Sequence, residues 1–242
     1  MKITFLQWNI WFQEDIHNIA EYLKAHPADI ICLQELIIDH PDQKEEHTPS
    51  FIAEQLGFNY FAPEMDLDGN TKIADGIFSR FPIKSSRQVW INEPLGNGGY
   101  DDEFRVYAEV ELDLNGQKLT VGTAHMSYTH KFEESERKLQ ETERLIQELS
   151  KPNGKFIFSG DLNVSPNSNT IANISKLLKD VGPPTSEMTW TTKPFDYNGF
   201  KESELRWRLD YIFASNDINV LMANIEQTEF SDHLPIRAEF EV

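Results

Sequence analysis

Lys2-Ile3-Thr4-Phe5-Leu6-Gln7-Trp8-Asn9, then Asp15 to Ala25, then Asp29-Ile30-Ile31-Cys32-Leu33-Gln34 closing on Glu35: this opening decides the reading of the fold. The first run is a strand entering a core. The second carries Ile16, Ile19, Ala20 and Leu23 at helical spacing. Pro27 ends that helix, and the third run is a short buried strand that delivers Glu35. A strand–helix–strand opening predicts layered α/β architecture. A carboxylate placed at the end of an apolar strand is costly unless it is paired, hydrogen-bonded or bound to a metal.

The same arrangement recurs down the chain. Lys155 to Gly160 is an apolar strand running into Ser159-Gly160-Asp161-Leu162-Asn163, and Asp210 in Arg208-Leu209-Asp210-Tyr211 begins or lies within a buried strand. Ser231-Asp232-His233-Leu234-Pro235 sets Asp and His side by side before another. Several such ends on one sheet edge would gather hard oxygen ligands at a point, as magnesium-dependent phosphoryl transfer requires. Singly, each motif also has an ordinary reading. Asn9 can tie two loops, Glu35 can cap a helix or pair with a cation, and His125, at the end of a strand over Gln117 to Ala124, can be a core histidine. Gly160 permits an unusual turn, from which Asp161 and Asn163 emerge two residues apart.

Between these motifs, Thr48 caps a helix with Pro49 in its first position, and Gly57 closes it. Asn59 to Phe81 reads as strands linked by Asp/Gly/Asn turns. Phe104 to Leu112 alternates with period 2, placing Val106, Ala108, Val110 and Leu112 on one face, and Asn115-Gly116 is a type I′ hairpin signal. Phe132 to Leu149 is the longest helix, with Leu139, Leu145, Ile146 and Leu149 inward and its many charges on a solvated face. A further helix lies near Ile171 to Leu178, and strands over Trp207 to Phe213 and Leu234 to Val242 complete the chain. Pro94 to Asp102, rich in Gly and Asn, is a loop rather than a linker, so residues 1–242 read as a single domain.

The chain has 242 residues, 39% of them hydrophobic and 12% aromatic, which supplies a sizeable core and leans toward a sheet-rich fold. Cys32 is the single cysteine, so no intramolecular disulfide forms, and its apolar neighbours make it a core residue. The formal net charge is −18, from 40 acidic against 22 basic residues. Binding to long duplex DNA rests on neutralising phosphates with Lys and Arg and is disfavoured by this balance. A short end, a single strand or a small phosphodiester stays open, and bound divalent cations would offset part of the excess. After Lys2 the apolar stretch is soon interrupted by Gln7 and Asn9, unlike a secretory signal, and no segment approaches the ~18 apolar residues of a membrane span. A soluble, cytoplasmic protein is expected.

In their order and contexts, Asn9, Glu35, His125, Asp161, Asn163, Asp210, Asp232 and His233 resemble the motif set of the endonuclease/exonuclease/phosphatase family, which includes deoxyribonuclease I. The resemblance implies a four-layer α/β/β/α sandwich of two mixed β-sheets flanked by helices. It also implies a hydrolase in which Glu35, with Asn9 and Asp232 nearby, holds Mg2+ or Mn2+. Asp161 would orient and deprotonate the attacking water, with Asn163 holding the water or the phosphate. His233, held by Asp210, would donate to a non-bridging phosphate oxygen, and His125 would assist the leaving group. Apurinic endonucleases carry tyrosine where this chain has His125, which argues against base-excision repair. Thr189-Trp190-Thr191 and Arg206-Trp207-Arg208-Leu209-Asp210 are similar to stretches of the 5′-tyrosyl-DNA phosphodiesterases. Trp190 and Trp207 read either as packing or as an aromatic platform. Arg105, Arg206 and Arg208 read either as phosphate clamps or as surface ion-pair partners. The expected substrate is a phosphodiester, at a short or single-stranded nucleic-acid end or in a small soluble molecule. The alternatives are sphingomyelinase-like or phosphomonoesterase activity, or a catalytically silent binding member. A silent member is free to lose Asp161, Asn163 or His233, and all three are present.

Overall fold

A computed structural model describes residues 1–39, 47–66, 71–96 and 102–242. Period-2 alternation sorts the apolar residues onto opposite faces of two sheets. In chain order the elements are β1 (Lys2–Asn9), α1 (Ile16–Ala25), β2 (Ile30–Asp39), α2 (Thr48–Leu56), β3 (Asn59–Phe61), β4 (Glu64–Asp66) and β5 (Lys72–Ser79). They continue with β6 (Ile83–Asn92), β7 (Arg105–Leu114), β8 (Gln117–His125), α3 (Glu136–Leu149), β9 (Phe156–Asp161), α4 (Asn169–Ile174) and β10 (Lys179–Asp180). Last come β11 (Phe195–Tyr197), β12 (Phe200–Glu202), β13 (Asp210–Ala214), β14 (Asn219–Ile225) and β15 (Ile236–Glu241).

One sheet has the order β14-β15-β1-β2-β5-β3, with β4 also on β5; the other runs β10-β13-β9-β8-β7-β6. Each contains one parallel pair, β1 with β2 and β8 with β9, among antiparallel neighbours. Phe5, Cys32 and Ile77 of the first sheet meet Val110, Val121 and Ile157 of the second in a shared core. The next residues along, Leu6 and Leu33, point outward and pack with Ile19, Leu23 and Ile52 of α1 and α2. On the far side, Phe156 and Phe158 pack with Leu145, Leu149 and Ile171 of α3 and α4. The result is the expected four-layer α/β/β/α sandwich, and Cys32 sits in its centre. Among the described residues no helix is long and apolar enough to cross a membrane.

Several expected boundaries move, each for a local reason. Thr48 does not cap α2. Its hydroxyl donates to the Ile37 carbonyl at 2.8 Å, and His47 holds the cap position with φ 61°. The long helix starts at Glu136, capped by Ser135, because Phe132 turns left-handed (φ 58°) in a separate single turn. Its inner face is partly charged, with Lys138, Glu141 and Glu148 buried, contrary to the solvated face expected of them. Near Ile171 the helix stops at Ile174 rather than Leu178, and the strand after Trp207 begins at Asp210. At the Asn115-Gly116 hairpin both residues have positive φ, 57° and 93°, as a type I′ turn demands. Residues 67–70 of the Asn59–Phe81 segment and 97–101 of the Pro94–Asp102 loop lie outside the described residues.

Gly160 is needed for a reason other than the turn expected of it. It lies within β9, paired in register with Ala124 of β8, and a Cβ there would sit 1.9 Å from the Ala124 carbonyl oxygen. The obstacle is backbone and cannot rotate away, so β8 and β9 would have to separate. Gly160→Ala is expected to cost about 3 kcal/mol, read as a lower urea midpoint with an unchanged slope.

Candidate active site

The two sheets deliver polar residues to one end of the sandwich by register. Asp161, the last residue of β9, pairs laterally with His125 of β8 on one side and Asp210 of β13 on the other. In the first sheet, Asn9 ends β1 opposite Gln34, next to Glu35. Strand β2 does not stop at Glu35 as expected but continues through a bulge. Leu33 pairs with Gly76 and Leu36 with Ala74, so Gln34 and Glu35 together face Asp75. Glu35 adopts φ 63°. Left-handed backbone at a non-glycine residue costs ~1–3 kcal/mol and is tolerated where the surroundings fix it. The bulge takes Glu35 out of the alternation and turns its carboxylate toward Asn9 and the Phe12 amide.

Asn9 joins the sheets. Its Nδ2 donates to Glu35 Oε1 and to Asp161 Oδ2, both at 3.0 Å, while its Oδ1 accepts from the Trp11 amide at 3.0 Å. The other Glu35 oxygen accepts from the Phe12 amide at 3.0 Å. Asp161 Oδ1 accepts from the Asn163 amide at 3.0 Å; Asn163 takes φ 50° and directs its own Nδ2 to His125 Nε2 (3.1 Å) and the Met126 carbonyl (2.9 Å). His233 Nδ1 lies 2.8 Å from Asp210 Oδ2, and its Nε2 faces Asp161 Oδ2 at 3.6 Å. Ser231 holds this corner, donating its hydroxyl to the Asn9 carbonyl (2.8 Å) and accepting the His233 amide (3.0 Å). Asp232 Oδ2 accepts the Trp190 indole N–H at 2.9 Å, whereas Oδ1 is buried with no partner among the described residues.

Burial and charge set the protonation states. Desolvation of the His233 ring is outweighed by Asp210, Asp161 and Asp232, raising its pKa to about 10, so it is an imidazolium at neutral pH. Burial, with Arg105 and His233 nearby, holds His125 well below the usual histidine range and keeps it neutral. Its Nε2 can therefore accept the Asn163 N–H. Burial also pushes Asp161 upward against the pull of His233, and raises Asp232 to about 6.

Asp161, Asp210 and His233 present ligand atoms all within 4.8 Å of one another. With His233 protonated, that trio is an ion cluster, since a protonated ring has no lone pair for a metal. Glu35 and Asp232 lie outside it, and neither pairs with a lysine or arginine among the described residues, although the His233 charge acts on Asp232. Two such carboxylates, one with an orphaned buried oxygen, are a donor set that fits a hard divalent ion. Asn9 turns its amide nitrogen, not its oxygen, to Glu35 and Asp161, which makes it a tether between those two carboxylates.

Glu35, His125, Asp161, Asn163, Asp232 and His233 line a cleft of about 670 Å³, and Asn9 and Asp210 hold them through their hydrogen bonds. Arg105 lines it too, 5% exposed, with Nη2 2.8 Å from Glu103 and with Nε and Nη1 lacking partners among the described residues. Arg206 and Arg208 are not brought to the cleft. Arg208 is buried and spent on the carbonyls of Asp210 and Glu187, at 2.6 and 3.1 Å; Arg206 pairs with Glu202 at 2.6 Å. Trp190 packs against Phe132, Phe195 and Phe200 and reaches the cleft, whereas Trp207 donates to Glu202 away from it. Sequence reading missed Asp75, buried between the sheets with its pKa raised to about 7 by desolvation against the pull of Arg105. An acid in the apolar run Ile73-Ala74-Asp75-Gly76-Ile77 was the available signal. The rim residues Trp11, Tyr128, Phe195 and Tyr197 carried none.

Residues 6–233 match the sequence model of the endonuclease/exonuclease/phosphatase family. The chain belongs to that family. No curated protein matches the chain. Solved structures of similar fold include an endonuclease/exonuclease/phosphatase from Bacteroides vulgatus (17% identity, 100% of this chain and 99% of that one, TM-score 0.75). D. rerio TDP2 complexed with a single-strand DNA product is comparable (18%, 100% and 99%, TM-score 0.74). So is the mannosyl-6-phosphatase Bt3783 of Bacteroides thetaiotaomicron (19%, 99% and 100%, TM-score 0.70). Endonuclease/exonuclease/phosphatase members are typically phosphoester hydrolases, and the convergence of this chain's motif residues at one cleft suits that chemistry.

Proposed function

We propose that this chain is a divalent-metal-dependent phosphoesterase that hydrolyses a phosphodiester at a short nucleic-acid end or in a small soluble substrate. The observation that carries the reading is the meeting at Asp161 Oδ2 of Asn9, His125 and His233, at 3.0, 3.5 and 3.6 Å, in one cleft. Asp161, with its pKa raised, is the base that takes a proton from the attacking water. Asn9 and the Asn163 amide fix both its oxygens, so the carboxylate is aimed before substrate arrives. His233, kept cationic by Asp210, donates from Nε2 to a non-bridging oxygen as charge builds there. Arg105, whose Nε and Nη1 have no partner among the described residues, would bind the same phosphate, and His125 would assist the leaving group. Glu35 and Asp232 would hold Mg2+ or Mn2+, which supplies Lewis-acid stabilisation of the phosphoryl oxygens when bound.

The cleft's own charge bears on the substrate. Six carboxylates line it (Glu35, Asp102, Glu103, Asp161, Asp196 and Asp232) against Arg105, Lys193 and the His233 imidazolium. That balance suits one phosphate on a divalent ion and opposes a long polyanion. The fold shared with a protein solved on a single-strand DNA product supports a nucleic-acid end. Hydrolysis of bis-p-nitrophenyl phosphate in Mg2+ or Mn2+ is expected to fall at least a hundredfold on chelation and to return when either ion is restored. Undiminished turnover in excess chelator would overturn the metal dependence.

A further inference from the structure

The cleft is lined on its outer side by aromatic rings that the catalytic scheme does not use. Tyr128 follows β8, and Phe195 and Tyr197 lie on β11 of the hairpin formed with β12. Their centroids form a triangle: 6.1 Å from Tyr128 to Phe195, 6.0 Å from Tyr128 to Tyr197 and 6.3 Å from Phe195 to Tyr197. All three line the same cleft as Asp161 and His233, and Tyr197 stays 48% exposed. Behind them the core is already filled by Phe132, Trp190 and Phe200. Tyr128 and Phe195 are half-buried against that core and Tyr197 is exposed, so packing uses only part of the three rings, and the part left facing the cleft is apolar surface of the kind that marks a binding site.

A second observation is independent of the hairpin. Trp11 also lines the cleft, only partly buried, and holds φ 57°. A bulky residue in the left-handed region is strained, and the Asn9 side chain accepting its amide keeps it there. Its ring carries the Lys193 ammonium 5.0 Å from its centroid. The chain thus holds a large, partly buried ring in a costly conformation at the mouth of the cleft.

We propose that Tyr128, Phe195 and Tyr197 form a stacking subsite for a planar aromatic ring esterified to the scissile phosphate, with Trp11 contributing at the mouth. This rests on the phosphoesterase reading and narrows its substrate class. The acidic lining turns away chains of phosphates, and the rings reward a single flat group beside one phosphate. A phenol and a nucleobase share that chemistry.

Diesters that differ in whether they carry a planar ring separate these cases, with turnover read by chromatography: dimethyl phosphate (the methyl ester), methyl phenyl phosphate (the phenyl ester) and thymidine 5′-(methyl phosphate). Stacking of one ring corresponds to about tenfold or more in affinity, so the aromatic esters are expected to show KM at least tenfold below the methyl ester. Preference for the phenyl ester alone assigns a phenol, and preference for the thymidine ester assigns a base. Tyr197→Ala and Phe195→Ala should collapse the aryl-to-methyl ratio, and Tyr197→Phe, which keeps the ring, should retain it. Calorimetric binding of phenylphosphonate against methylphosphonate keeps the two readings apart. If no ester turns over but the phenyl compound still binds tighter, hydrolysis is lost and the subsite stands. If the esters turn over with equal KM and the phosphonates bind equally, the subsite is overturned and hydrolysis stands.

Discussion

Asp161→Asn is expected to lower turnover of bis-p-nitrophenyl phosphate by about a thousandfold, within the usual range for removing a positioned general base, with a melting temperature close to that of the parent. The amide is isosteric with the carboxylate but has one oxygen where two accept now, Oδ2 from Asn9 Nδ2 and Oδ1 from the Asn163 amide, so one of these donors loses its partner. What disappears is the basic oxygen and the negative charge facing His233 Nε2 at 3.6 Å. The stability half follows from linkage. Burial raises the Asp161 pKa, so the folded protein holds that proton more tightly than the unfolded chain. In the metal-free protein, stability contributed by this group is present below the ordinary aspartate range and is lost as pH rises through the raised value. At neutral pH the ionised carboxylate is therefore a cost, and Asn removes it, which offsets the one acceptor that the amide lacks. Near-parental turnover would sink the base assignment, and a large fall in melting temperature would show that the carboxylate is structural.

The order of motifs was legible because a strand that ends on a carboxylate leaves a linear trace. Phe156 to Asp161 and Ile30 to Glu35 each show it, and pairing register then brings His125, Asp161 and Asp210 side by side. The bulge at Glu35 was not legible. It depends on how β2 pairs with β5, and Asp75, the residue it wraps around, is far away in sequence. Gly160 was noticed for the wrong reason, since its constraint is the Ala124 carbonyl on another strand. Arg206 and Arg208 sit two residues apart near Asp210 and looked like phosphate clamps, yet the fold consumes both in structural bonds. Arg105 carried no better local signal and is the arginine that reaches the cleft. The edge strands β6 and β14 also went unread, since only half their residues meet the core and their apolar pattern is broken.

Helix α3 poses the hardest case for pattern reading, and Lys138→Met gives the largest expected loss of stability. Lys138 and Glu141, one turn apart, were assigned to a solvated face, because i, i+3 charges normally belong there. Both are buried. Lys138 Nζ donates to the Ser127 carbonyl at 2.6 Å, and Glu141 Oε1 accepts the Ser127 amide at 3.0 Å. Asn92 Nδ2 donates to the Ser127 hydroxyl at 3.1 Å. Ser127 is thus gripped at all three of its polar groups, two residues beyond His125 and next to Met126, whose carbonyl receives Asn163. Burial lowers the Lys138 pKa and raises that of Glu141, so each charge persists through the other, 3.9 Å away.

Removing the lysine leaves a buried carboxylate without its counter-ion and a carbonyl without its donor, which costs about 3–5 kcal/mol. Glu141→Gln retains an acceptor for the Ser127 amide and should cost less. The double variant Lys138→Met/Glu141→Gln is expected to be more stable than Lys138→Met alone, the reverse of additivity, because it removes the stranded charge. Urea unfolding at two pH values adds a sign check. In Lys138→Met the raised Glu141 pKa means the folded state binds the proton more tightly. The variant should regain stability as pH falls toward the ordinary glutamate range, and the double variant should not. A Lys138→Met protein within 1 kcal/mol of the parent would mean that water reaches this corner and that the clamp on Ser127 is dispensable. A destabilised variant whose folded fraction keeps full turnover would separate the clamp's role in folding from any role in holding His125.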